Sequence, residues 1–203
     1  MANPSSAAKY QLFTITKNNK TFPLQSKVVR FDYYESLLSP NITATIIFVD
    51  SGLVEKGDEQ VNYGKEYDPQ ERPGTLYNAL PIVGDGSEEI KFKVSSALGT
   101  LDFSKTPLYV NGASNPDQSS TRESVILNLV SKSAIINQET FVKKNYSKST
   151  NNTQSVRSIA KNILKIDKLT ADETSNKYPF IGNNTSPFDV ICKIASKSAP
   201  KNG

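Results

Sequence analysis

The stretch "FDYYESLLSPNITATIIFVDSG", residues 31–52, holds the densest run of aromatic and β-branched residues in the chain. Ser39-Pro40-Asn41 breaks it as a turn, so two strands are expected around it, the second covering Ile42–Val49. Side chains alternate across a strand. Ile42, Ala44, Ile46 and Phe48 therefore share one face, and Thr43, Thr45, Ile47 and Val49 the other. The first set is apolar throughout, and the second turns apolar at its far end. A strand of this kind is expected to be covered on both faces there, as in a packed barrel or an assembly surface. The acids Asp32 and Glu35 are three apart and fall on opposite faces of an extended strand, so they cannot act on one atom.

Outward from this stretch, further strands are expected. Tyr10, Leu12, Phe13 and Ile15 mark one ending at Lys17–Lys20, and Val28, Val29, Phe31 and Tyr33 another. Residues 53–79 lack periodicity and read as an extended loop or hairpin. Gly84-Asp85-Gly86 is a hairpin turn, because a strand follows it where a phosphate-binding loop needs a helix. Ile90, Phe92 and Val94 alternate with Lys91 and Lys93 in that half-buried strand. Glu88 and Glu89 are neighbours on opposite faces, and read as a solvated strand entry. Short strands follow over 101–110, then a loop of turn formers over 111–121, then an apolar strand from Val125 to Val130. Residues 133–144 fit helix or strand.

Two helices are expected later. Val156, Ile159, Ala160, Ile163 and Leu164 form an amphipathic stripe over 155–166, with N-cap candidates in 151–155. Ser186-Pro187 with Asp189 opens the second, over 187–198, its apolar face built from Phe188, Ile191, Ile194 and Ala195. Residues 1–9 read as a loose tail.

Composition narrows the chemistry. The 203 residues are 36% hydrophobic and 9% aromatic, enough for one large domain or two small ones. Histidine is absent and cysteine occurs once, at Cys192. Neither His-dependent nucleophilic catalysis nor a Cys-rich metal site or disulfide framework can then be built. Cys192 reads as a small packing residue. The net charge of +4 reads as solubility. Lys143-Lys144-Asn145-Tyr146-Ser147-Lys148 reads as a solvated loop or a contact for an acidic partner, since one tyrosine is a poor stacking platform for nucleic acid. The first residues lack a signal-peptide pattern and no apolar run approaches membrane length, so a soluble product made in the cytoplasm is expected, without membrane insertion. No catalytic residues, cofactor or metal are expected.

Four stretches in order carry a resemblance: "VVRFDYYESLLSPNITATIIFVDSG", "LPIVGDGSEEIKFKV", "ILNLVSKSAIINQETFVKKNYSKS" and "NKYPFIGNNTSPFDVICKIASKSAP". Together, over about residues 10–200, they resemble the N-terminal half of the central baseplate hub protein of contractile-tailed, T-even-like bacteriophages and their cyanobacterial relatives. The resemblance implies a mainly β chain of two tail-tube-like β-barrel domains, 10–104 and 105–203, the second incomplete. It implies a homotrimer forming a pseudo-hexameric ring in the virion baseplate, assembled in the host cytoplasm. The ring would join the hexameric tail tube, or a tube-initiator protein, to a trimeric central spike, beside baseplate wedge proteins, with DNA only passing through the lumen. The additional C-terminal domains of the full-length family lie beyond this sequence, which leaves spike docking open. Subunit contacts would then fall on Phe31, Tyr33, Tyr34, Ile47, Val49, Tyr63 and Tyr67. The alternative is a glycan- or host-binding β-sandwich of a phage tail, disfavoured by the absence of Trp.

Overall fold

The computed structural model describes residues 8–36, 39–50, 82–97, 99–118, 123–146 and 151–201. The chain divides into two compact units, Met1–Ser36 with Ile42–Ser131, and Leu37–Asn41 with Lys132–Gly203.

Period-two patterning organises the first unit into one antiparallel sheet. Its strands are β1 (Lys9–Lys17), β2 (Lys20–Pro23), β3 (Val28–Tyr34), β4 (Thr43–Asp50), β5 (Glu89–Ser96), β6 (Gly99–Asp102), β7 (Leu108–Gln118) and β8 (Glu123–Val130). They lie in the order β2-β1-β5-β7-β8-β4-β3, with β6 paired to β5. One side chain in two points inward: Phe13 and Ile15, Ala44, Ile46 and Phe48, Ile90, Phe92 and Val94, Val125, Leu127 and Leu129 are all buried. β1 and β3 stand near opposite ends of this order, yet the Phe13 and Phe31 ring centroids are 5.3 Å apart. The sheet is therefore curled until its ends face each other across the core.

Curling stops short of closure. Among the described residues no strand pair joins β2 to β3, so the mainly β expectation holds without a closed barrel. The β2 strand has four residues and ends at Pro23, which has no N–H to extend a ladder. The chain crosses the seam instead: Leu24 donates its N–H to the Phe13 carbonyl and accepts from the N–H groups of Lys27 and Val28. The Leu24 side chain is fully buried.

Two local expectations change. Residues 111–118 continue β7 where a loop was expected, with register shifts at Val110/Gly112 and Ser114/Asp117. Bulges accommodate the turn-forming residues without ending the pairing. The boundary between units falls after Ser131, where the sequence suggested 104, because β7 and β8 pair with β5 and β4 of the first sheet.

The second unit holds helices α1 (Lys132–Glu139), α2 (Asn152–Asn162) and α3 (Pro187–Ser196), with a ladder of β9 (Asn145–Tyr146) and β10 (Phe180–Ile181). A second barrel was expected here; the described residues form a helical unit. The 133–144 stretch resolves into α1 and, after it, the isolated Val142–Thr185 bridge. The α2 helix begins at the Asn151 cap, whose side chain accepts the Gln154 N–H at 2.8 Å. Ser186 caps α3, with Pro187 in the first turn and the Ser186 hydroxyl donating to Asp189 at 2.6 Å. Val142, Tyr146, Ile159, Phe180, Val190 and Ile194 make the core. Thus α3 buries Pro187, Val190 and Ile194, while Ala195 and Cys192 are exposed. Cys192 lies off the buried stripe and is not a packing residue.

A buried asparagine joins three segments of this unit. Asn152 donates to Ser198 at 2.9 Å and to Asn176 at 3.3 Å, and accepts the Tyr178 N–H at 2.6 Å. Asn176 in turn donates to the Lys197 carbonyl and accepts from the Ala199 N–H.

Phe92 is fully buried and stacks on Phe13 and Phe103. Phe92→Ala is expected to destabilise the chain by about 3–5 kcal/mol, read as a lower urea midpoint. An unchanged midpoint would contradict this account of the core. Gly84 has φ +73°, and a Cβ there would stand 2.9 Å from Gly112 Cα and from Ala113 N. Gly84→Ala is expected to lower the melting temperature.

Candidate functional site

The β3–β4 pair contributes an inner and an outer face, and its register assigns each residue to one. Phe31 lies opposite Ile46 and Tyr33 opposite Ala44, on the core side. Arg30 lies opposite Ile47, Asp32 opposite Thr45 and Tyr34 opposite Thr43, on the outer side. The β8 strand extends this outer face, with Ile126 opposite Ile47, Ser124 opposite Val49 and Asn128 opposite Thr45. Ile47, Val49 and Ile126 are partly buried and form a short apolar strip. Arg30 and Asp32 flank it as an ion pair at 2.7 Å.

The seven expected contact residues therefore divide. Tyr34, Ile47 and Val49 share the outer face, and Tyr34 is 56% exposed. Phe31 and Tyr33 belong to the inner face: Phe31 packs on Phe13 and Phe92, and Tyr33 on Phe103 at 5.8 Å. Tyr63 and Tyr67, with the whole 53–79 segment, lie outside the described residues. Asp32 and Glu35 are on opposite faces: Asp32 pairs with Arg30, and Glu35 accepts the Tyr33 hydroxyl at 3.0 Å.

Two carboxylates in this unit are buried. Asp50, at the end of β4, meets Lys27 at 2.7 Å. Glu88, just before β5, meets Lys17 at 2.8 Å and accepts the Val83 N–H at 2.7 Å through the same oxygen. The expected solvated entry at Glu88 is thus corrected: its carboxylate is enclosed, and the lysine makes enclosure tolerable. Its Oε2 is buried without a hydrogen-bond partner. Glu89 points the other way and accepts the Tyr109 hydroxyl at 3.2 Å. Sequence spacing shows that neighbours on a strand diverge; which of them goes inward depends on Lys17, 71 positions earlier.

Burial raises the Tyr33 phenol to about 12, helped by its bond to Glu35 and by that carboxylate's charge. Burial likewise raises Tyr109 to about 12, with the Glu89 charge and hydrogen bond adding to it. On the exposed edge, Ser104 donates to Asp102 and holds its carboxyl down at about 2, with Lys93 at 3.2 Å assisting. Among the described residues no three His, Cys, Asp or Glu side chains are placed to share a metal ion. No helix there is long and apolar enough to cross a membrane. The geometry builds surfaces and anchors them.

No family model and no curated protein matches the chain. Its fold is similar to that of a tail protein from Neisseria meningitidis MC58, with a TM-score of 0.51 and 10% identity, over 91% of this chain and 44% of that one. It is also similar to the 43 kDa tail protein of prophage MuSo2 from Shewanella oneidensis, with a TM-score of 0.51 and 9% identity, over 97% of this chain and 51% of that one. The chain shares its fold with these two tail proteins. It spans about half the length of these two solved proteins.

The raised phenols give a signed prediction. A folded-state value near 12, above the ordinary 10, favours the neutral form in the fold. Their contribution to stability is complete below pH 10 and is lost as pH rises toward about 12. Ultraviolet titration of the native chain should show two phenols ionising near the top of this range, one of them missing in Tyr33→Phe. Complete tyrosine ionisation near pH 10 in the folded chain would refute the assignment.

Proposed function

We propose that the chain is a structural protein of a bacteriophage tail. Its finer role is that of a baseplate hub, a trimeric and pseudo-hexameric ring between the hexameric tail tube and the trimeric central spike. The fold likeness to the two tail proteins carries this reading. The curled sheet supplies a rigid wall, which suits a protein whose work is geometric and not catalytic. Its outer face offers a contact strip at Ile47, Val49 and Ile126, beside the Arg30–Asp32 pair and exposed Tyr34. Apolar strips edged by charge suit permanent subunit contacts, where burial supplies affinity and the charges fix register. The edge strand β3 adds backbone groups at the end of the sheet for strand pairing with a neighbour. Spike, tube and wedge proteins are the partners of this assembly, and the virion baseplate is its location.

Light scattering of the purified chain tests the reading. A particle of three times 22.3 kDa is expected at high concentration. Ile47→Asp, which places a charge in the strip, is expected to shift it to monomer while leaving the circular dichroism spectrum unchanged. A monomer at every concentration, in the presence of tube and spike proteins as well, would overturn the hub role. Specific glycan binding by that monomer would favour a host-binding module.

A further inference from the structure

Asparagine followed by glycine occurs twice in the sequence, at 111–112 and at 202–203. The second pair lies outside the described residues. The first lies inside β7, where a turn-forming dipeptide is out of place. Regular pairing is interrupted at this dipeptide: Val110 stands opposite Leu129 and Gly112 opposite Asn128, so Asn111 is the extra residue of a bulge. A bulged residue is left out of the ladder, and the strand bends there. Asn111 is exposed, and no hydrogen bond among the described residues holds its side-chain amide.

Packing and backbone geometry do not account for the glycine. The φ angle of Gly112 is outside the left-handed region that Gly84, Gly86 and Gly99 occupy. A Cβ at 112 would meet only the Asn128 side chain, its Nδ2 at 3.6 Å and its Cβ at 3.9 Å, which is ordinary contact. Alanine would therefore fit. Glycine alone supplies a backbone nitrogen that no side chain shields, on a backbone with wide freedom to rotate. The surroundings are fixed: Val110 accepts the Gly86 N–H at 2.8 Å and donates its own to the Glu88 carbonyl at 3.1 Å. Asn115, the next asparagine on β7, precedes Pro116, which has no N–H to lose.

From this arrangement we propose that Asn111–Gly112 is a self-modifying site, where the asparagine converts to aspartate and isoaspartate. The Gly112 nitrogen gives its proton to solvent base and bonds to the Asn111 side-chain carbonyl carbon. The bond from that carbon to the amide nitrogen breaks, the nitrogen regains a proton, and ammonia leaves a cyclic imide. Water then opens the imide at either carbonyl. One opening restores the backbone with an aspartate side chain, and the other routes the backbone through the β-carbon. Water is the only co-reactant. Each product sets a carboxylate where a neutral amide stood, and isoaspartate also lengthens the backbone by its β-carbon. That extra length falls beside Val110 and Gly112, against which the 84–88 segment is packed and bonded, so it loosens this corner. The inference concerns β7 and its neighbours and does not depend on the ring.

Ageing the intact folded chain in mildly alkaline heavy-oxygen water, followed by peptide mapping in a mass spectrometer, tests it. Asn111 is expected to take up heavy oxygen ahead of Asn115, Asn128 and Asn145, yielding both aspartyl and isoaspartyl peptides. The conversion should quicken as pH rises, because the attacking nitrogen must lose its proton. Gly112→Ala should keep the melting temperature and lose the isoaspartyl product over the same interval. Hydrogen exchange at the Gly86 and Val110 amides should be faster in the aged chain than in the fresh one. Conversion of Asn111 only after unfolding in urea would overturn the proposal, as would conversion of the Gly112→Ala variant at the unsubstituted rate. Unaltered exchange at both amides in chain enriched in isoaspartate would overturn the loosening of the corner.

Discussion

The contact between Phe13 on β1, Phe31 on β3 and Phe92 on β5 holds the first unit in its curled form. The rings bring β3 against the neighbouring strands β1 and β5, from which it stands far in the ladder, with centroid separations of 4.9 to 5.7 Å. A flat sheet would leave each ring in water on one face. Curling buries them together, and Phe103 continues the stack at 4.7 Å from Phe92. Edge-to-face and offset geometries add a modest directional preference to the larger apolar term. The seam left by short β2 then needs a plug, and Leu24 provides it with its side chain and its backbone.

Once the sheet is curled, its rim must accommodate charge. Asp50 and Glu88 are carried inward by the same alternation that buries Phe48 and Ile90, so each carboxylate must find a cation. Lys27 and Lys17 reach them from the chain just after β2 and from the end of β1, both near the seam. Glu88 also takes the Val83 N–H, which pins the turn at Gly84 against β7, where Gly86 donates to the Val110 carbonyl. Charge and close packing thus fix one corner together. The second unit solves a similar problem without ions: Asn152 satisfies its amide with Ser198, Asn176 and the Tyr178 backbone. A neutral amide needs only hydrogen bonds to be buried, so this network avoids the desolvation of paired charges.

The sheet wall presents a narrow apolar strip bounded by an ion pair, suited to close contact with a matching surface.

The strands around the opening stretch, their faces and the helix starts at Asn151 and Ser186 were legible in the sequence, because local alternation and capping depend on residues a few positions apart. The mainly β character followed from the same patterns. Outer-face placement of Tyr34, Ile47 and Val49 was half visible; the inward turn of Phe31 and Tyr33 was not, since it follows from register with β4 and from rings on β1 and β5. Glu88 looked like a solvated acid until Lys17 arrived from a distant strand. Cys192 looked buried until Val190 and Ile194 set the inner stripe of α3. The continuation of β7 past Gly112 and the break after Ser131 rest on pairing between strands remote in sequence. Periodicity assigned the elements, and long-range pairing decided which faces close on a core, where the sheet stays open and which charges go inside.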